Sequence, residues 1–237
     1  MFKGITERIV DMDWSAIQCS LDEQGFAVFP PILEPEECAD FITSYDAENL
    51  YRKTIDMKRY RFGIGEYKYF QSPLSETVQQ FREGFYPQLA VTANLWMERL
   101  GKETSYPTAL TDFLSKCHEA GQSRPTPLIL KYEAGGYNCL HQDLYGDVFF
   151  PFQVVLVLNQ KDVDYEGGEF LLVEQRPRAQ SRGHVIRPER GGGLIFPTSF
   201  RPVQGTRGYY RATLRHGVGT ISAGTRYSLG IIFHDAT

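Results

Sequence analysis

The residues best suited to chemistry stand in the run Leu140-His141-Gln142-Asp143. On an extended strand the two-residue period sets the His141 and Asp143 side chains on one face, with Cα atoms about 6.5 Å apart. His216 lies 73 residues beyond Asp143, so only a fold that brings distant strands together can make it their neighbour. Two imidazoles and one carboxylate on one face of an octahedron suit Fe(II) and leave the opposite positions open. A His-x-Asp alone is a weak signal. The chain has five histidines, and a strand-end histidine more often only bonds a polar neighbour. Further on, Arg226 and Ser228 are again two residues apart, and on a strand they share a face. The glycine-rich turn after His216 is expected to return that strand beside the metal strand as a hairpin. A guanidinium there can bind a carboxylate bidentately, with the serine hydroxyl adding a third bond. A metal with open positions beside a buried arginine describes a site for 2-oxoglutarate, chelated at one end and held by Arg226 at the other.

The elements that must position these groups are strands. From residue 127 the chain reads as short apolar runs: Leu128–Tyr132, Gln153–Leu158, Glu169–Val173, Gly193–Phe196 and Tyr227–Phe233. Glycine turns separate them at Gly135-Gly136, Gly167-Gly168, Gly191–Gly193 and between Gly217 and Gly224. This texture predicts an α+β, mainly β protein, a double-stranded β-helix (jelly roll) with supporting N-terminal helices. We expect a single domain over 1–237, with 1–126 as helical support and lid and 127–237 as the catalytic core. In the first part a short helix ends at Gly25, and Phe26–Phe29 forms a strand. A helix opens at Glu34-Pro35, where proline loses no donor. Residues 75–100 read as helix interrupted near Pro87, with Leu89, Ala93, Trp96 and Leu100 on one face. Pro107 starts another helix with Leu110, Phe113, Leu114 and Cys117 inward. Residues 51–70 have no clear period. Six basic residues alternate there with aromatics, as in a solvated hairpin or a mobile lid.

Composition narrows the class. The 237 residues, 42% hydrophobic and 23% charged, describe an ordinary globular protein. A formal charge of −4 gives no support for a protein that coats itself in nucleic acid. The four cysteines, Cys19, Cys38, Cys117 and Cys139, are scattered, which reads as reduced thiols rather than a disulfide framework or zinc site. The first residues lack the apolar core of a signal peptide, and no apolar run approaches the ~18 residues that span a bilayer. A cytoplasmic protein without membrane partners is expected.

Over roughly residues 127–235 the chain resembles the Fe(II)/2-oxoglutarate-dependent dioxygenases. RHGVGTISAGTRYSLGIIFH is similar to the prolyl-hydroxylase type, in which the basic co-substrate ligand follows the distal histidine by ten residues. Gly167–Phe170 and Gly193–Pro197 fit the same type. LKYEAGGYNCLHQD looks like the AlkB group of nucleic-acid dealkylases, where a tyrosine nine residues before the first histidine bonds 2-oxoglutarate; Tyr132 occupies that position. Arg226–Leu229 matches a further run of that group. The chain departs from it at Leu130, where the group has asparagine, and at Ile232, where it has a second arginine. The pocket is therefore expected to be nearer the prolyl-hydroxylase version. The resemblance implies His141, Asp143 and His216 on Fe(II), with Arg226, Ser228 and Tyr132 on 2-oxoglutarate. Dioxygen would be consumed, a substrate C–H bond hydroxylated, and succinate and carbon dioxide released. On an N-methylated base the product would lose formaldehyde.

The substrate is less legible. Alkylated DNA or RNA fits the AlkB-like approach to His141. A protein side chain or small molecule fits the prolyl-hydroxylase likeness, and a non-oxidising metal-binding cupin is the remaining class. For nucleic acid the candidate contacts are Tyr60, Arg61 and Tyr67 in the 51–70 segment, Tyr145 beside the metal run, and Arg207 and Arg211. Residues 176–215 hold nine arginines against one acid, Glu189, the look of a phosphate-facing surface. Of the other histidines, His118 reads as a helix cap and His184 as solvated, while His234 reads as facing away from the metal.

Overall fold

The computed structural model describes residues 3–143 and 146–237. Two antiparallel sheets carry the fold. In the larger, the strands run in the order Ala27–Phe29, Gly193–Pro197, Phe152–Val157, Ile221–Ile232, Leu128–Glu133, Glu66–Phe70, Tyr51–Asp56, and Tyr165–Gly167 adds to Ile221–Ile232. In the smaller, the order is Arg182–Ile186, Phe170–Gln175, Gly208–Val218, Tyr137–His141, Gly63–Ile64, with Phe200–Gly205 beside Gly208–Val218.

The strand Phe152–Val157 shows why the middle of the larger sheet is apolar throughout: every residue in it is buried. Phe152, Val154 and Leu156 face a core shared with the helices. Val155, on the other face, packs between the sheets with Phe170, Leu172, Leu194 and Phe196. A strand covered on both sides loses the polar alternation of a half-exposed one. The helix Glu76–Arg99 supplies the outer cover. Its Trp96 ring lies 4.4 Å from Phe152, and Tyr86 lies 4.8 Å from Phe150. Leu110–Glu119 adds Leu110, Phe113 and Cys117 to that core.

Several expectations hold. The helix Trp14–Gln24 ends at Gly25, whose φ of 84° is the left-handed turn a glycine takes without strain. Pro35–Thr43 starts where its proline predicts. Three differ. First, Glu76–Arg99 runs unbroken through Pro87. Pro87 and Glu83, whose carbonyl loses its partner, both lie on the exposed side, where water can take the bond. Second, sheet does not begin at residue 127. Besides the expected strand at Ala27–Phe29, Tyr51–Asp56, Gly63–Ile64 and Glu66–Phe70 pair into it; of its two readings the 51–70 segment is the hairpin, built into the sheet edges rather than free as a lid. Third, Gly208–Val218 and Ile221–Ile232 do not form a hairpin. They belong to opposite sheets. The turn between them is pinned from both sides: Gly168 N–H donates to the Thr220 carbonyl, and the Gly135 and Ile221 backbones exchange bonds through Gly136. That crossing carries the chain from the wall bearing His216 to the wall bearing Arg226.

Candidate active site

His141 is the last residue of Tyr137–His141, and His216 is its direct partner across the ladder. Pairing in register therefore places the two imidazoles side by side, with ring centres 4.2 Å apart. Asp143 lies just past the strand end. Its N–H donates to the Thr198 carbonyl, which turns the carboxylate back to the histidines. Asp143 Oδ2 is 3.1 Å from His216 Nε2, and Oδ1 is 3.5 Å from His141 Nε2. One ligand atom from each of the three lies within 4.8 Å of the others, the grouping expected of a metal site.

The surroundings orient both imidazoles. His141 Nδ1 is 2.7 Å from the Cys139 carbonyl, which requires a proton on Nδ1 and leaves the Nε2 lone pair for a metal. His216 is stacked parallel to Phe170 at 5.8 Å and meets Phe196 edge-on at 4.7 Å. Burial there holds its pKa below the ordinary histidine value, against the pull of Asp143. The donor set, neutral nitrogen and carboxylate oxygen without thiolate, fits Fe(II).

Above this cluster lies a cavity of about 360 Å³. Arg226 and Ser228 project into it from the larger sheet, and Arg226 Nη1 donates to Ser228 Oγ at 3.1 Å. Arg226 is only 2% exposed, and its Nε has no hydrogen-bond partner. Among the described residues no carboxylate forms an ion pair with it. The guanidinium lies 5.9 Å over the Tyr132 ring. Burial pushes the Tyr132 hydroxyl up to about 12. That hydroxyl accepts from Asn138 Nδ2 at 3.3 Å, so its own proton remains to be donated.

The candidate substrate residues divide. Arg61 and Tyr67 line the cavity. Tyr60 does not, but it stacks on Phe62, which does, at 5.6 Å. Arg207 and Arg211 are exposed on the hairpin that leads to His216, away from the cavity lining. Tyr145 lies outside the described residues. Three of the nine arginines in the 176–215 segment are paired with acids: Arg176 and Arg201 share Glu174, and Arg187 pairs with Glu169. The other histidines are accounted for. His118 lies in the last turn of its helix, but its Nε2 is 3.2 Å from Asp235 Oδ2 rather than on a helix-end carbonyl. His184 sits half-buried on a strand, with its ring 5.0 Å from Phe26. His234 is buried and accepts from the Phe150 N–H. Sequence reasoning missed Phe62, Asn138 and Gln153, all in the cavity wall. Only Gln153 left a trace, as a lone amide in an apolar strand.

Against known proteins, residues 65–236 match a family described as an oxygenase catalysing oxidative methylation of damaged DNA. The chain belongs to this oxygenase family. A protein of Mycobacterium tuberculosis strain H37Rv, described only as uncharacterised, is 50% identical over 167 residues, 70% of this chain and 72% of its own length. Among solved structures, a Pseudomonas putida prolyl-4-hydroxylase shares 16% identity and a TM-score of 0.58, covering 94% of this chain and 99% of its own. A 2-oxoglutarate-Fe(II) oxygenase family oxidoreductase from Burkholderia pseudomallei shares 16% identity and a TM-score of 0.56, covering 96% and 94%. At such identities the likeness is one of fold. Family, fold and the His-Asp-His cluster together make this oxygenase one that uses Fe(II), 2-oxoglutarate and dioxygen. Among the described residues no helix is long and apolar enough to cross a membrane.

Proposed function

We propose that the protein is a jelly-roll oxygenase that demethylates alkylated nucleobases, with 1–237 acting as one catalytic unit. The observation that carries the site assignment is Arg226, a buried guanidinium without a carboxylate partner among the described residues. Burying a cation is costly unless an anion meets it, and a dicarboxylate reaching from Arg226 to the His-Asp-His cluster supplies that anion. In this reading His141, Asp143 and His216 hold the metal. The Cys139 carbonyl fixes the His141 tautomer, and Phe170 and Phe196 hold the His216 ring. Arg226, Ser228 and Tyr132 bind the far carboxylate, Tyr132 as a donor since its hydroxyl stays protonated. Leu130, Val155 and Phe196 wall the cavity and keep water away, which strengthens each charge contact. With Fe(II) bound, dioxygen and 2-oxoglutarate become carbon dioxide, succinate and a hydroxylated C–H bond. A hydroxylated N-methyl group then leaves as formaldehyde.

The nucleobase reading is supported by the mouth. Tyr60 and Phe62 form an exposed stacked pair, 45% and 47% accessible, with Leu140 and Ile64 also exposed beside them. Lys58, Arg59 and Arg61 come from the same short segment, and the Arg59 guanidinium stands 6.0 Å over Tyr60. Aromatic faces flanked by cations suit an unstacked base and its phosphates. The test is turnover on methylated single-stranded oligonucleotides at low salt. Formaldehyde released in step with succinate, with binding that weakens steeply as salt rises, is the expected result. Arg59→Ala/Arg61→Ala should raise KM, and Arg207→Ala/Arg211→Ala reports whether the outer hairpin also meets phosphate. Succinate formed on a peptide or amino acid, with no turnover of any methylated oligonucleotide, would overturn the nucleobase reading and leave the oxygenase.

A further inference from the structure

Gln153 is the only polar side chain in the strand Phe152–Val157. It is 4% exposed, it lines the cavity, and its Nε2 has no hydrogen-bond partner. A buried amide donor left unpaired bears its whole desolvation penalty, so such a group needs a reason. Its neighbours offer it none. One flanking partner is Ile232 and the other is Phe196, both apolar.

Its place in the cavity indicates what it meets. The Phe196 ring beside it touches His216 at 4.7 Å. Thr198, two residues on, accepts the Asp143 N–H. Gln153 thus sits at the His-Asp-His end. Arg226 lies six residues back along the strand from Ile232 and marks the other end. The cavity therefore has unpaired buried donors at both extremes, Arg226 Nε and Gln153 Nε2. A ligand with an acceptor at each end answers both. The bulkier substrate enters where the lining is exposed, past Phe62 and Leu140, at 47% and 40%. Gln153 is on an interior strand of the opposite sheet, with neighbours on either side.

We infer that Gln153 Nε2 donates to the metal-proximal carboxylate of 2-oxoglutarate, so that this neutral amide orients the chelating end while Arg226 holds the far end. The inference rests on the site reading above. It assigns Gln153 to the co-substrate and not to the base.

The test is anaerobic calorimetric titration of Mn(II)-loaded protein with 2-oxoglutarate and with 4-oxopentanoate, which keeps the ketone and far carboxylate but lacks the near one. Gln153→Leu should bind 2-oxoglutarate about tenfold more weakly or worse, as for loss of a hydrogen bond to a charged group. Its affinity for 4-oxopentanoate and for Mn(II) should match wild type. Gln153→Glu, close in shape, should be weaker still for 2-oxoglutarate because like charges meet. It also covers the case in which the leucine variant does not fold, with near-UV circular dichroism as the check on both. Variants that bind 2-oxoglutarate as wild type does, or lose both ligands equally, would overturn the assignment. An unchanged co-substrate affinity with a raised substrate KM would place Gln153 on the base instead. If wild-type protein itself fails to bind 2-oxoglutarate, the site reading falls first, and Arg226→Ala will then show no loss either.

Discussion

At the scale of single residues, the chemistry depends on burial that favours one charge state. In the proposed site Arg226, buried and without a carboxylate partner among the described residues, would receive its counterion from the co-substrate. Replacing it by alanine removes that contact and leaves a carboxylate against an apolar wall. We expect a loss of roughly 2–5 kcal/mol in 2-oxoglutarate binding, the scale for breaking a buried charge pair, with Mn(II) affinity kept; calorimetry on the metal-loaded variant measures both. His234 shows the opposite preference. Its Nδ1 accepts the Phe150 N–H and must be unprotonated to do so. Burial lowers its pKa to about 4. The unfolded chain, near the ordinary 6.5, takes the proton first, so stability is full above about pH 6.5 and drains away toward pH 4. The loss is roughly 3 kcal/mol once complete. Denaturant midpoints measured from pH 7 to pH 5 should fall, and His234→Asn, which can accept but not titrate, should flatten that fall. An equally steep acid limb in the variant would assign the loss to another group.

At the scale of elements, Glu76–Arg99 carries the outer cover of the larger sheet and tolerates a proline that local rules forbid. Packing of Phe81, Phe85, Leu89, Ala93 and Trp96, all buried, outweighs one missing bond at the solvent side. Pro87→Ala should restore that bond and raise unfolding free energy by about 1–3 kcal/mol, within the proline penalty of a helix interior. A variant no more stable than wild type in urea would mean that the helix already bends to relieve the proline. The same reasoning explains the 51–70 segment. Its alternation of basic and aromatic residues conceals a strand pair, Tyr51–Asp56 with Glu66–Phe70, because cations cover the ring faces: Lys68 Nζ stands 4.2 Å over Tyr45 and Arg52 4.5 Å over Tyr69.

At the scale of the molecule, helix and sheet are tied together through Arg82. This side chain is 2% exposed, donates to the Phe233 carbonyl, and pairs with Asp235 at 2.9 Å. It links the long helix to the chain just past Ile221–Ile232, the strand that carries Arg226. Arg82→Met should cost about 3–5 kcal/mol, since it removes the buried guanidinium that pairs with the Asp235 carboxylate. The double variant Arg82→Met/Asp235→Leu should recover part of that loss in chemical denaturation. A double variant as unstable as the single one would mean that packing, not the stranded charge, sets the cost.

Residue types and short spacings were enough to name the chemistry. The His141/Asp143 pair, the Arg226/Ser228 pair and the alternation of apolar runs with glycine turns are local, and local patterns reflect ligand preference and strand period directly. What joins them is not local. His216 faces His141 because two strands pair in register across 74 intervening positions. Arg226 faces the cluster because the chain crosses between sheets at Gly219-Thr220 instead of folding back as a hairpin. Pairing partners depend on which faces bury together, and so do the mouth aromatics, the lack of a carboxylate partner for Arg226 among the described residues and the idle amide of Gln153. Charge shows the same division: nine arginines in one segment read as a single surface, yet Glu174 and Glu169 claim three of them. Burial is a property of the assembled sheets, and only the tertiary structure decides which polar groups it leaves waiting for a ligand.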